Sequence, residues 1–286
     1  MSNLSRFTRL AGVGIVALAA GAFGAAPANA GPWDRTAPVV SIPVAARYVV
    51  GGQLAQDDLG EVGAPEYFYD VPVTFSWTGS DEDGWYSTVR AHYDGDEPGV
   101  LQVDRATTWT GVTNDYSDEY GGGSFNVSNW SVLAEDSWGN ARGFAVYGAE
   151  PTITQNDGFS SGAGKGPAAT VAYSGTWSSS SCTCFAAGTT TRTTQAGARA
   201  TITVTVPAAP GESWVGLVME KAANRGRFTV RVDGGALTTV DTYSATTQHM
   251  VIVWQTRLLP GTHTITVSNL ATAGRARIDL DAVVTN

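Results

Sequence analysis

Between Asn224 and Asn269 apolar and polar residues alternate with the period of a strand that has one buried face and one wet face. Phe228, Val230 and Val232 interleave with Arg227, Thr229 and Arg231, and after the Asp233-Gly234-Gly235 turn the run Met250–Trp254 is apolar on both sides. That run is too short for a typical helix, so it reads as a strand enclosed in a sandwich. Beyond the Pro260-Gly261 turn, His263, Ile265 and Val267 take one face, and Thr262, Thr264 and Thr266 take the other. Upstream, Ile202, Val204 and Val206 alternate within 200–206, a strand is predicted over 214–219, and 168–177 and 276–284 open and close the same module. The first half repeats the style. Residues 37–42 form an opening strand, Val73, Phe75 and Trp77 share one face of a strand over 71–77, another strand runs over 86–93, and Trp130–Asn140 ends a late strand in a turn. No sustained 3.6-residue pattern appears, so the chain is predicted to be all-β.

Composition divides this pattern into parts. Arg6 and Arg9 precede an apolar stretch over 10–23 that leads to Ala28-Asn29-Ala30, which reads as a signal peptide over 1–30 with general secretion as its route. Nothing after Gly31 is long and apolar enough to be predicted as a membrane span, so the mature chain is expected outside the cytoplasm. The formal net charge of -9 conceals an asymmetry: residues 31–163 carry twenty Asp or Glu against five Arg, and residues 164–286 carry six against ten Lys or Arg. A Gly/Ser-rich interval falls where the sign changes. The predicted organisation is therefore a β-sandwich over 31–150, a linker over 151–166 and a second β-sandwich over 167–286.

Two resemblances are carried by particular residues. The Arg225-Gly226 step, Val230-Arg-Val-Asp-Gly234, the run Tyr243-Ser-Ala-Thr-Thr-Gln248 and Leu258-Leu-Pro-Gly-Thr-His-Thr-Ile-Thr-Val267 resemble the C-terminal galactose-binding-like β-sandwich modules of secreted actinobacterial proteins. The likeness extends to Tyr173-Ser-Gly-Thr-Trp177 and Asp279-Leu-Asp281-Ala-Val283. It implies a jelly roll appended as a sugar-binding or scaffold module. The Thr36-Ala-Pro-Val-Val40 start, the loop Ser76-Trp-Thr-Gly-Ser-Asp-Glu-Asp-Gly84 and the turn Ala134-Glu-Asp-Ser-Trp-Gly-Asn140 are similar to bacterial immunoglobulin-like or fibronectin-type-III-like modules, without the usual Cys pair of the former.

Candidate chemistry is sparse. Gly158-Phe-Ser160-Ser-Gly162 fits the nucleophile-elbow pattern, but no strand is predicted to enter it and no helix to leave it, so no catalytic residue is assigned. His92, His249 and His263 are the only histidines, none at metal-ligand spacing from another, and His263 reads as a packed side chain. Cys182 and Cys184 are expected to form a local disulfide, which requires a kink between them. Asp81-Glu82-Asp83, Asp94-Gly-Asp96-Glu97 and the carboxylates over 115–119 are solvated loop charge or, through Asp81, Asp83 and Asp94, a Ca²⁺ site.

Of the nine Trp, Trp77, Trp214 and Trp254 read as core, while Trp85, Trp109, Trp138 and Trp177 fall in predicted loops. Ligand contacts are expected at the loops of one end of the second sandwich, with Trp177, Arg225 and Tyr243 as the first choices, since loops present side chains without breaking a strand ladder. The function expected is non-catalytic binding or adhesion toward carbohydrate or a cell-envelope polymer, with no nucleic-acid partner. An accessory protein that binds another protein and a small polysaccharide hydrolase using loop carboxylates are the alternatives.

Overall fold

The structure, a computed structural model, describes residues 36–41, 47–58, 67–81, 85–92, 99–104, 108–114, 129–147, 151–158, 160–161, 167–208 and 213–286. The segment expected as signal peptide, and Asp83 and Asp94 of the expected Ca²⁺ site, lie outside these residues. Among the described residues there is no α-helix, and the protein is all-β.

The first half contributes β1 (Val39–Ser41), β2 (Arg47–Tyr48), β3 (Ala55–Asp58), β4 (Tyr67–Ser76), β5 (Thr78–Ser80), β6 (Trp85–His92), β7 (Gly99–Asp104), β8 (Thr108–Asn114), β9 (Asn129–Asp136) and β10 (Ala141–Tyr147). They pair antiparallel: β4 lies among β2, β3 and β8, a separate sheet runs β10-β9-β6-β7, and β1 pairs with β5. Tyr69, Val71, Val73 and Trp77 are buried along β4 and just after it. Trp85 and Trp109, expected in loops, stand on β6 and β8.

The second half begins earlier than its composition indicates. Its strands are β11 (Thr152–Gln155), β12 (Ser160–Ser161), β13 (Ala169–Ser174), β14 (Ser178–Ser181), β15 (Thr189–Thr193), β16 (Arg199–Val206), β17 (Ser213–Lys221), β18 (Arg227–Val232), β19 (Thr238–Asp241), β20 (Gln248–Leu258), β21 (Gly261–Asn269), β22 (Ile278–Leu280) and β23 (Ala282–Thr285). Strand β11 falls inside the interval expected as linker, and its four residues are buried and paired with β23, so residues 152–155 belong to the sandwich. Backbone pairing with a terminal strand outweighs the Gly/Ser content that follows it.

Two five-stranded sheets, β12-β11-β23-β17-β20 and β13-β16-β21-β18-β19, face one another, with a small sheet β14-β15-β22 at their side. Ile202, Val204, Leu217, Phe228, Val251, Ile265 and Val283 meet between the two large sheets. The sheet containing β17 is buried on both faces, because Ile153, Val218, Ile252, Ala282 and Val284 point away from that core and are also sealed. Tyr48 of the first half helps to cover them. A side chain at Gly216 would meet Val284 Cγ1 at 2.8 Å and the Tyr48 ring at 3.2 Å, which is why glycine stands in mid-strand there.

The exposed edge of β20 is closed by the first half as well. Gly51 N donates to Ile252 O (2.8 Å), Ile252 N to Gly52 O (2.9 Å) and Leu54 N to Met250 O (2.9 Å), so residues 51–54 cover what would otherwise be an open edge. The disulfide loop joins the same junction. Cys182 and Cys184 are bonded with Cα atoms 5.0 Å apart, the chain kinks through residues 185–188, and Ala187 N donates to both Tyr69 Oη (2.8 Å) and Gln56 Oε1 (3.1 Å).

Candidate functional site: the loop end of the second sandwich

Strand registers bring the three expected ligand residues to one end. Ser174 stands opposite Arg199, Arg199 opposite Ser268, Phe228 opposite Asn269, and Arg227 opposite Asp241. This end therefore collects the finish of β13, β19 and β21 with the start of β16 and β18. Lys221 pairs with Gln248, and the bridges Ala222 to Tyr243 and Arg225 to Arg277 tie the loops together. A further chain of bonds reaches the Trp177 loop: Thr176 N donates to Gln195 Oε1, and Asn269 Nδ2 donates to Gln195 O (3.1 Å) and Ala276 O (3.0 Å).

Beneath the loops lies a buried ionic floor. Arg225 donates from Nε to Asp279 Oδ2 (2.6 Å), from Nη2 to Glu220 Oε1 (2.5 Å) and from Nη1 to Asn224, while Glu220 N donates to Asp279 Oδ1 (2.8 Å). Arg225 is only 2% exposed, which corrects its expected place as a ligand contact. A planar guanidinium between two sealed carboxylates is worth its desolvation only when its donors are satisfied, and here it fixes the floor. Burial pushes the Asp279 carboxyl upward against the pull of Arg225. Burial also pushes Asp281 well above the carboxylate range, with Asp279 adding to the shift.

The rim is a different environment. Tyr243 is 49% exposed, its backbone N held by Asp241 Oδ1 (2.9 Å), and the Arg275 guanidinium sits over its ring at 4.8 Å. Arg275 makes a fork to Asp241 (2.9 and 3.2 Å), and Arg227 Nε reaches the same carboxylate (3.0 Å). The Arg275 fork in particular holds the Asp241 carboxyl far below its usual range. Trp177 is half-buried, packed on Tyr173 with ring centroids 4.9 Å apart and donating from Nε1 to Ser174 O (3.1 Å). Of the three expected residues, one is floor, one is wall and Tyr243 alone is open. Arg275 and Asp241 escaped the sequence reading, because nothing in Ala-Gly-Arg-Ala-Arg over 273–277 distinguishes a stacked arginine from a solvated one.

The other candidates are dispersed. Ser160 lies on the edge strand β12 with its hydroxyl bonded to Thr154 (3.0 Å). Trp138 is exposed on a turn capped by Asp136, which accepts from Trp138 N and Asn140 N. His263, expected as a packing residue, is a polar clamp at the far end, with Nδ1 2.7 Å from Asp233 Oδ2 and Nε2 2.8 Å from Leu259 O. Among the described residues no group of three or more His, Cys, Asp or Glu is arranged to hold a metal ion, and Asp81 is the one residue of the expected Ca²⁺ set within them.

No protein-family model matches the chain, and no curated protein matches it. Solved structures similar to it include a family 35 carbohydrate-binding module from Cellvibrio japonicus Abf62, at 16% identity over 48% of this chain and 92% of that one, with a TM-score of 0.32. The family 35 module from Clostridium thermocellum is 16% identical over 40% and 89%, with a TM-score of 0.30. The exo-beta-1,3-galactanase of Phanerochaete chrysosporium with bound galactose is 14% identical over 84% and 69%, with a TM-score of 0.34.

Proposed function

We propose that this is an exported, non-catalytic β-sandwich protein that binds carbohydrate or cell-envelope material at the loop end of its second sandwich. The observation that carries the reading is the exposed Tyr243 ring, oriented from one side by Arg275 and anchored through Asp241. A fixed aromatic face suits the apolar face of a pyranose, while the Arg227–Asp241–Arg275 group offers donors and acceptors to hydroxyls. The first half, read as an immunoglobulin-like or fibronectin-type-III-like module, supports the second by closing its sheet edge. Catalysis is disfavoured at this end by its carboxylates. Asp241 is pinned in its ionised form by two guanidiniums, Glu220 and Asp279 are sealed around Arg225, and Asp281 is buried too, so among the described residues of this end these carboxylates are engaged or enclosed.

Isothermal titration of the full chain with a panel of polysaccharides tests this reading. Tyr243→Ala is expected to weaken binding about tenfold, or about 1.4 kcal/mol, with an unchanged melt. Undiminished affinity in that variant, or turnover of any polysaccharide, overturns it. The accessory-protein alternative is favoured by Leu237 and Leu259, which are 64% and 60% exposed on turns at the far end.

A further inference from the structure

The arginines around Asp279 and Asp241 are of two kinds. Arg225, Arg227 and Arg275 are bonded to carboxylates. Arg192 and Arg277 are held more loosely: Arg192 is paired in register with Asp279 but its Nε has no hydrogen-bond partner, and Arg277 makes only a long ion pair, Nε to Asp279 Oδ2 at 3.8 Å. The Nε atoms of both are shielded from solvent without a partner. His249 behaves alike, its Nδ1 3.5 Å from Glu220 Oε2 and unbonded while its ring meets Phe185 edge-on. A shielded donor without an acceptor costs about 1–3 kcal/mol, so the guanidiniums of Arg192 and Arg277 are less satisfied than that of Arg225, and their partly exposed ends retain donors for a ligand.

Crowding sharpens the argument. Asp279 and Glu220 are already engaged by Arg225, so little negative charge remains to neutralise Arg277 and Arg192. Burial first, then the neighbouring Arg225, lowers the hold of Arg277 on its proton; Asp279 and Glu220 oppose the shift, Arg192 adds to it, and the net direction is down. Both unsaturated arginines remain partly accessible, Arg277 with 19% of its side chain exposed. They stand on the same loop end as Tyr243, since Arg277 bridges to Arg225 and Ala222 bridges to Tyr243.

We propose that Arg192 and Arg277 form an anion-recognition subsite for the carboxylate or sulfate group of an acidic polysaccharide. This rests on the carbohydrate reading and names its ligand class. A planar guanidinium pairs with a carboxylate or sulfate through two parallel N–H donors, and two such groups facing little counter-charge select an anionic sugar over a neutral one. The acidic first half, with twenty carboxylates against five arginines over 31–163, repels such a polymer and leaves this end as its landing place.

The test is titration of the full chain with polygalacturonate, a sulfated galactan and a neutral galactan. The acidic polymers are expected to bind more tightly, with a preference between the two identifying the source of the anion. Arg192→Gln and Arg277→Gln should each weaken acidic binding about tenfold while sparing neutral binding, and Arg277→Lys should recover part of the loss. Arg231→Gln, on the wet face of β18, should change nothing. Should the glutamine variants fail to fold, protection of Arg192 and Arg277 in the native protein from a dicarbonyl reagent by polygalacturonate gives the same answer. Equal binding of neutral and acidic polymers overturns the anion subsite and leaves the carbohydrate reading standing, as does a loss in Arg231→Gln equal to that in Arg277→Gln. Acidic binding that survives Tyr243→Ala but not Arg277→Gln upholds the subsite and removes the stacking role of Tyr243. Binding of no polymer overturns both.

Discussion

The two large sheets of the second sandwich share one core but differ on their outer faces. Outside β13, β16, β21 and β18 stand Thr201, Thr203, Thr264, Thr266 and Arg231, side chains that need no cover. Outside β11, β23, β17 and β20 stand Ile153, Val218, Ile252, Ala282 and Val284, all at 0% exposure. The first sheet ends at water, and the second continues into the other half of the protein. A sandwich needs only one buried face per sheet, so the second buried face shows that the first half is part of the support for this fold.

Removing that cover should have the largest effect. Residues 151–286 alone would expose several aliphatic side chains worth about 1.5–3 kcal/mol each, together with the open edge of β20. The isolated half is expected to self-associate in size-exclusion chromatography and to melt well below the full chain. A monomer with the full-length melting temperature would mean that the junction contributes nothing.

Point changes sharpen the same contrast. Tyr48→Ala, which empties the cover over Gly216, should cost about 3–5 kcal/mol in denaturant unfolding, and Gly216→Ala about 1–3 kcal/mol through its contact with Val284. Thr203→Val on the wet face should stay within about 0.5 kcal/mol. Arg225→Ala leaves Glu220 and Asp279 sealed without their partner, and a loss of about 3–5 kcal/mol is expected, with Arg227→Ala on the rim far milder.

The smallest effect is a pH dependence at the far end. Asp233, followed by burial that opposes it and the Leu259 carbonyl, sets the His263 imidazole, and the net shift is above its ordinary 6.5. Because the folded value is the raised one, the clamp contributes fully below about pH 6.5 and fades as pH rises through that folded value. At acid pH the sign reverses for Asp233, whose carboxyl the His263 bond holds below 3.8, so its contribution disappears as pH falls through that depressed value. His263→Asn should flatten the neutral part of a plot of melting temperature against pH.

Much of this architecture can be read from alternation alone. Phe228, Val230, Ile265 and Val267 occupy the core face assigned by their period, and Met250–Trp254 lies within an enclosed strand. What covers that strand was not legible, since Tyr48 and Leu54 are distant in sequence and no local pattern announces a non-local partner. The Gly/Ser content of 158–166 obscured β11 for a related reason: Thr152–Gln155 forms a strand because β23 pairs with it. The site was legible as a place, because strand ends in one sheet are fixed by register. Individual roles were not. Arg225 and Arg275 look alike in sequence, and only the positions of Asp279 and Asp241 make the first a buried anchor and the second a lid on Tyr243.

Hydrogen-exchange footprinting of the full chain with and without the tightest-binding polysaccharide bears most directly on where this protein binds. Protection is expected over 221–227, 241–249 and 270–277, with the threonine face of β16 and β21 unchanged. Protection on that face, with the loop end unaffected, would contradict the account.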